Sequence, residues 1–384
     1  MSKKKYKLNI KPLTGIHIGS GETVTPLDYT VKTMEFSEGK KQLYFKFSSD
    51  KILHRIIEEG NKQKISQFEE ISNSENIKRL QTFFQHECKI PADMEYLSDV
   101  TKTFLDRYRH NINKDPLDNA AAVLQMYRPT GKKAPVIPGS SIKGAIRTAL
   151  LDFYLNPQKD DSKLKSYRKS KDLEAYLLKY DDGLGKSDMK KDPLRCISIA
   201  DCTIPAKGTQ LVGCLKNISR NLAEDTCNEL DKLQITAEII RGVYIDGKSE
   251  SQTQLLLDTD LQNPELRQIN QKISAKDIVS ACNYFYWDTF TDEFERFYRD
   301  ETEHTKYCEQ LYKDLETINK KNDTQFIIRL GRWSQVEFMT YSYGFALPKT
   351  KNNKYGGTRT VFDYNGNYVP MGWCVCSLEE INEK

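Results

Sequence analysis

Residues 6–13 alternate apolar and polar side chains with a period of two, which predicts a first strand. Residues 16–21 then read as a strand end running into a glycine-bearing turn. Residues 29–36 and 42–47 repeat the alternation on either side of Ser37-Glu38-Gly39-Lys40, so they predict a hairpin. From residue 50 to about 119 the period changes. Apolar positions fall three and four apart, as at Ile52 and Ile56, in a background rich in Lys, Glu and Gln, and this predicts a helical insertion.

The most informative stretch is residues 135–151. Pro138 interrupts any regular element before it, and Gly139 permits a tight backbone. Ser140 or Ser141 is a suitable helix N-cap, and Ile142, Ile146, Ala149 and Leu150 supply an apolar stripe at helical spacing. The first turn of such a helix has unpaired N–H groups and a partial positive charge, which suits an anion. Lys143 and Arg147 are four residues apart and share a face, so they extend that preference to a chain of phosphates. The stretch is not a nucleotide P-loop, because Lys143 precedes Gly144 instead of following a glycine.

Beyond this helix, Lys163, Lys165, Arg168, Lys169 and Lys171 form the densest basic run, either an arm for RNA or a partner, or a solvated loop. Residues 195–204 and 210–215 are expected to pair. Residues 234–245 and 252–257 are expected to form a hairpin around Asp246-Gly247-Lys248. A domain boundary is expected around residues 217–232. Residues 275–320 predict one or two amphipathic helices, whose aromatic residues read as core. Residues 326–330 predict a short strand leading into Gly331-Arg332-Trp333. The segment from Pro348 to Arg359 is basic and acid-free; Gly356 and Gly357 would let backbone amides approach phosphates, with Lys351, Lys354 and Arg359 supplying charge. Residues 362–376 close the chain as strands. An α+β fold follows from this order of elements.

Composition narrows the class. The 384 residues are enough for two domains. A hydrophobic fraction of 38% is low, so polar surface is plentiful. Net charge is 58 minus 54, or +4, too mild to identify a nucleic-acid partner by itself. No apolar window approaches the ~20 residues of a membrane span, and the basic start lacks the apolar core of a signal peptide. The nine cysteines are scattered without a CxxC pair and the five histidines are dispersed. Free thiols in a reducing cytoplasm, no zinc site and no cofactor are expected.

Several of these stretches together resemble a known family. Ile137-Pro138-Gly139-Ser140-Ser141-Ile142-Lys143-Gly144, with Arg147, resembles the signature of the RAMP superfamily of CRISPR-associated RNA-binding proteins. Leu13-Thr14-Gly15-Ile16-His17-Ile18-Gly19-Ser20-Gly21-Glu22 resembles its amino-terminal motif. Arg329-Leu330-Gly331, Gly356-Gly357-Thr358-Arg359 and Pro370-Met371-Gly372-Trp373 are similar to one branch, the fifth subunit of type III-A (Csm) interference complexes.

The resemblance implies two facing ferredoxin-like, RRM-like domains. One spans residues 1–225, with a helical insertion at about 50–130, and the other residues 226–384. It implies an RNA-binding subunit that caps the 3′ end of a CRISPR RNA and contributes to its maturation. Its partners would be that RNA, the backbone and small subunits of the complex, and cellular nucleases. His17, Gly19, Ser20, Gly21, Gly139, Ser140, Ser141, Lys143, Arg147, Lys351, Lys354, Gly356, Gly357 and Arg359 are the expected RNA contacts. No catalysis is expected. An alternative is a metal-dependent endoribonuclease using Asp28, which resembles the active-site aspartate of the related backbone subunit, with His17 as an acid–base group. Another is a cap that touches protein alone.

Overall fold

The computed structural model describes residues 3–114, 121–155, 164, 167, 169–205, 210–219, 235–247, 250–258, 266–299, 304–321, 324–339 and 358–381. Strand β1 (Lys3–Pro12) forms where the alternation places it: Tyr6, Leu8 and Ile10 are buried, while Lys5 and Lys11 are exposed. It is the central strand of a five-stranded antiparallel sheet. One neighbour is β12 (Ser251–Asp258), with β8 (Ile197–Ile199) beyond it; the other is β16 (Trp373–Ile381), with β13 (Gln325–Arg329) beyond it. In register, Leu8 lies opposite Thr253 on one side and Leu378 on the other.

Two helices cover one face of this sheet. Helix α5 (Gly139–Leu155) follows β1, and α7 (Ala275–Phe297) follows β12. They pack together, and the Tyr286 hydroxyl donates to the Ala145 carbonyl at 3.2 Å. Taken in order, β1, α5, β8, β12, α7 and β16 make a βαββαβ unit whose strands lie side by side as β16-β1-β12-β8. This is the split βαβ arrangement of a ferredoxin-like fold. Its core combines Leu8, Ile10, Leu255 and Cys376 with Ile142, Ile146, Leu150, Phe285 and Phe290. Each large apolar side chain buried this way contributes about 1.5–3 kcal/mol. The aromatic positions of residues 275–320 are core, as the periodicity predicts. That segment is two helices, α7 and α8 (Lys306–Lys321).

Three excursions leave this unit and build a second sheet together. The first, between β1 and α5, holds β2 (Gly19–Val24), the hairpin β3 (Tyr29–Phe36) and β4 (Gly39–Phe47), β5 (Met94–Val100), and β6 (Val123–Met126). The second, between β8 and β12, holds β10 (Gln210–Ser219) and β11 (Ile235–Ile240). The third, between α7 and β16, adds β14 (Thr358–Tyr364) and β15 (Asn367–Pro370). The order is β2-β6-β11-β10-β5-β4-β3, with β14 on the far half of β10 and β15 on β14. A small pair, β7 (Val136–Ile137) with β9 (Cys202–Thr203), lies before α5.

Both sheets therefore take strands from either side of residue 225. Two local expectations are corrected. Residues 195–204 and 210–215 do not pair, since β8 belongs to the first sheet and β10 to the second. β11 and β12 do not form a hairpin either. The turn at Asp246 is present, with φ of +59° and Gly247 N–H donating to the Gly242 carbonyl at 2.8 Å, but it carries the chain from one sheet to the other.

The helical insertion is α1 (Ser49–Glu58), α2 (Lys62–Asn73), α3 (Ile77–Glu87) and α4 (Lys102–Asn111). Ser48, Asn61, Asn76 and Thr101 cap their N-termini, each accepting from an N–H three residues on. Strand β5 interrupts this otherwise helical stretch and continues the second sheet. Phe47, Ile52, Ile56, Ile71, Phe83 and Phe84 give the first three helices a core of their own. Among the described residues no helix is long and apolar enough to cross a membrane.

Candidate nucleic-acid interface

Residues 13–18 cross from one sheet to the other. Thr14 anchors them to the first, its hydroxyl accepting from Trp373 N–H at 2.9 Å. Ile16 joins the second through a two-way backbone pairing with Ile240. His17 sits between Ile16 and Ile18, so alternation turns it away from the core if both isoleucines face inward; it is instead only 1% exposed. The reason is the crossing, which puts β11 on one side of the ring and the turn after Leu330 on the other. The Nδ1–H donates to the Glu238 carbonyl at 2.7 Å, leaving Nε2 a bare lone pair, buried and without a partner among the described residues. Burial is the main cause that lowers the His17 pKa, so the ring is neutral at neutral pH and offers no cation to a phosphate.

Gly19, Ser20 and Gly21 follow, exposed, at the start of β2. The pairing of β2 with β6 is irregular between Gly19 and Thr23. The Ser20 hydroxyl closes the irregular stretch by donating to the Gln125 carbonyl at 3.4 Å and accepting from Glu22 N–H at 3.1 Å. The result is an open, side-chain-poor bulge at the end strand of the second sheet, accessible to a ligand.

The start of α5 is placed differently from the expectation. Helix α5 begins at Gly139, so Ser140 and Ser141 lie within its first turn. A carboxylate already occupies the helix start: Gly139 N–H donates to Asp201 Oδ1 at 2.8 Å. Gly139 is required here because a Cβ would lie 2.0 Å from the Ile199 carbonyl oxygen. Both cations of the helix turn inward. Lys143 Nζ donates to the Ile197 carbonyl at 2.8 Å, and burial lowers its pKa. Arg147 pairs with Asp192 at 2.7 Å and with Glu174 of α6 (Ser170–Leu177) at 3.1 Å, and donates to the Tyr180 hydroxyl at 2.9 Å. Only Ser140 of this motif is exposed, apart from Gly144. The signature is thus a structural joint between α5, α6 and the end of β8.

Lys351, Lys354, Gly356 and Gly357 lie outside the described residues, as do Lys163, Lys165 and Arg168 of the basic run. Arg359 is described, and it too turns inward. It is 2% exposed, with Nε 2.7 Å from Glu293 and Nη2 2.9 Å from Glu337. Arg329 joins this buried network through Glu293 at 2.8 Å. Two guanidinium groups and two carboxylates neutralise one another beneath Phe297, Phe338 and Trp373. An isolated charge would not be stable there.

Directly after Arg329 and Leu330 comes a feature that periodicity does not reveal. Gly331, Trp333 and Gln335 have φ of +86°, +65° and +66°. A Cβ on Gly331 would lie 2.4 Å from the His17 carbonyl oxygen, so the turn sits hard against the amino-terminal motif. Arg332 N–H donates to that same oxygen at 2.7 Å. The Trp333 ring lies 5.0 Å from the His17 ring at 41°, and the exposed Arg332 guanidinium lies 5.3 Å from the indole. Nearby, Arg128 of the segment after β6 lies 3.7 Å over Tyr96 and pairs with buried Glu238 at 2.7 Å. The sequence signal for the turn is the short run Arg329-Leu330-Gly331-Arg332-Trp333, whose meaning depends on a contact with residue 17.

Asp28 is half-buried in a turn held by its own backbone: its N–H donates to the Thr25 carbonyl at 3.0 Å and its carbonyl accepts from Phe47 N–H at 2.9 Å. Burial chiefly raises its pKa, opposed by Lys46 and reinforced by Glu95 and Asp50. It lies apart from the His17 cluster in the hydrogen-bond network. Among the described residues no three His, Cys, Asp or Glu side chains are grouped to hold a metal. Tyr108, which stands between Arg107 and Arg109, packs on Tyr29 and Phe104.

A model of the RAMP superfamily matches residues 9–357. Among solved structures, a chain of a Csm–crRNA–target RNA ternary complex from a type III-A CRISPR–Cas system is 18% identical. The match covers 97% of this chain and 100% of that one, with a TM-score of 0.60. T. onnurineus Csm5 is 16% identical over 96% of this chain and 99% of its own, with a TM-score of 0.55. At such identities the likeness is one of fold. No curated protein matches.

Proposed function

Because the chain belongs to the RAMP superfamily, we propose that it is an RNA-binding subunit of a type III-A interference complex, holding the 3′ part of a CRISPR RNA. The observation that carries this reading is the convergence of residues 17–21 and 331–335 on one exposed edge. That edge offers glycine backbone, an exposed arginine and an aromatic ring. Contacts of this kind follow a backbone and stack on any base, so they suit a protein that holds guides of many sequences. The likeness of fold to chains of Csm assemblies supports the same reading, with backbone and small subunits as protein partners. A part in 3′-end maturation, with cellular nucleases as further partners, extends it.

Ultraviolet crosslinking of the assembled complex, followed by mass spectrometry of RNA-bearing peptides, tests the proposal. Crosslinks within residues 17–21 and 331–335 are expected, and few within 139–147, whose cations face inward. If neighbouring subunits crosslink and this chain does not, it is a cap that touches protein alone.

A further inference from the structure

We infer that Trp333 is the stacking platform of a single-nucleotide site for single-stranded RNA, with Arg332 and the Gly19–Gly21 bulge flanking it and His17 forming its floor. This rests on the proposed function and assigns the site within it.

Four observations lead there. First, the backbone of residues 331–335 is unusual. Trp333 and Gln335 are not glycines, yet both have φ near +65°. Such conformations persist where the surroundings over-determine them, and they concentrate at ligand clamps. The surroundings here do so from both sheets. Arg332 N–H is bound to the His17 carbonyl, Leu330 N–H donates to the Gly372 carbonyl at 2.8 Å, the Ser334 hydroxyl donates to the Gly331 carbonyl, and the Gln335 side chain donates to the Trp333 carbonyl at 3.1 Å.

Second, what this held turn presents is a tryptophan at the margin of the second sheet's core, packed against it without being enclosed by it. Trp373 is fully buried among several aromatic rings. Trp333 is part-buried, and among the described residues its ring partner is His17. Third, Arg332 is exposed beside the indole, with no ion pair among the described residues, so its charge remains available for a phosphate.

Fourth, the floor has an unmet need. His17 Nε2 is buried and, among the described residues, has no hydrogen-bond partner, and its tautomer makes it an acceptor. Gly19 lies directly against it, where a Cβ would be 3.0 Å from Nε2, at the start of the exposed glycine bulge. A ligand that shifts this bulge and reaches the nitrogen must bring a donor, and a phosphate is not one. The ribose 2′-hydroxyl is a donor, and it is what distinguishes RNA from DNA at a given site.

The test uses the purified full chain and fluorescein-labelled single-stranded RNA of mixed sequence, read by anisotropy, with DNA of the same sequence as the comparison. Trp333→Ala is expected to weaken RNA binding about 5- to 150-fold, the range for losing one base–aromatic stack. Trp333→Phe should restore most of it. RNA should quench tryptophan fluorescence in the wild type, and the quench should vanish in Trp333→Phe, which a merely structural role would not produce. Gly19→Ala should reduce the preference for RNA over DNA. If Trp333→Ala fails to fold, the quench in the wild type and its loss in Trp333→Phe decide the matter alone. Wild-type affinity in a folded Trp333→Ala, or no Trp333-dependent quench on a chain that binds RNA, overturns the site and leaves the proposed function standing. A wild-type chain that binds no RNA alone or in the assembled complex overturns both.

Discussion

Arg147 shows how a motif residue acquires its role from what surrounds it. Its side chain meets Asp192, Glu174 and Tyr180, three groups that converge only in the folded chain. Asp192 is 4% exposed, so removing the guanidinium leaves a buried carboxylate without its counter-charge. Arg147→Ala should therefore cost about 3 kcal/mol of stability, and Arg147→Glu more, through like charge. A melting curve checks this: a large drop in Tm is expected, and an unchanged Tm with lost RNA would return Arg147 to the RNA surface. The sequence made the helix legible through Ile142, Ile146, Ala149 and Leu150, all buried as the stripe requires. It did not make the direction of Lys143 and Arg147 legible. Cations on a partly exposed helix face look alike until the partner carboxylates are placed. The same holds for Gly139, whose requirement comes from a carbonyl sixty residues downstream. At His17, alternation along one strand gave the outward direction, and a second element covered it.

Among the elements, helices and the β3–β4 hairpin were the most legible, because their pairing partners are close in sequence. Strands with distant partners were not. Alternation in residues 252–257 correctly marks a strand, but the Asp246-Gly247 turn points to the wrong neighbour. β12 pairs with β1 over eight residues, a contact no local pattern encodes. The insertion behaves as a unit for the opposite reason, since its contacts are local. Phe83 and Phe84 pack with Phe68, Ile52, Ile56 and Ile71, and Arg55 ties α1 to Asp93 at 2.9 Å. Phe83→Ala should destabilise this layer by about 3–5 kcal/mol. Amide exchange is the measurement: protection should fall across residues 49–87 while α5 and α7 keep theirs. An equal loss in all of these helices would show that the insertion has no separate cooperativity.

For the whole molecule, the expected division at residue 225 meets a fold whose two sheets both bridge that position. The ferredoxin-like unit is legible in its parts, β1, α5, α7 and β16, but their order in space is not, because insertions separate them. β1 is sandwiched between β12 and β16, and its backbone has no complete ladder without both. Residues 1–225 expressed alone should fail to form the first sheet, and deletion of residues 373–384 should expose the β1 edge. Circular dichroism and solubility report both outcomes; a soluble, cooperatively melting 1–225 fragment would establish an independent domain.

The bond from Trp373 N–H to the Thr14 hydroxyl joins residues 359 positions apart. During synthesis, the amino-terminal motif leaves the ribosome long before the strand that fixes it exists. Contacts of such separation form late and slowly. The Trp333 turn waits as well, since it is braced by His17 from the start of the chain and by Gly372 from its end. A prematurely terminated chain thus carries the glycine bulge without the braced turn that packs against it. Under the proposed function, completion of translation becomes a condition of guide binding, which would keep defective chains from trapping guide RNA in incomplete assemblies.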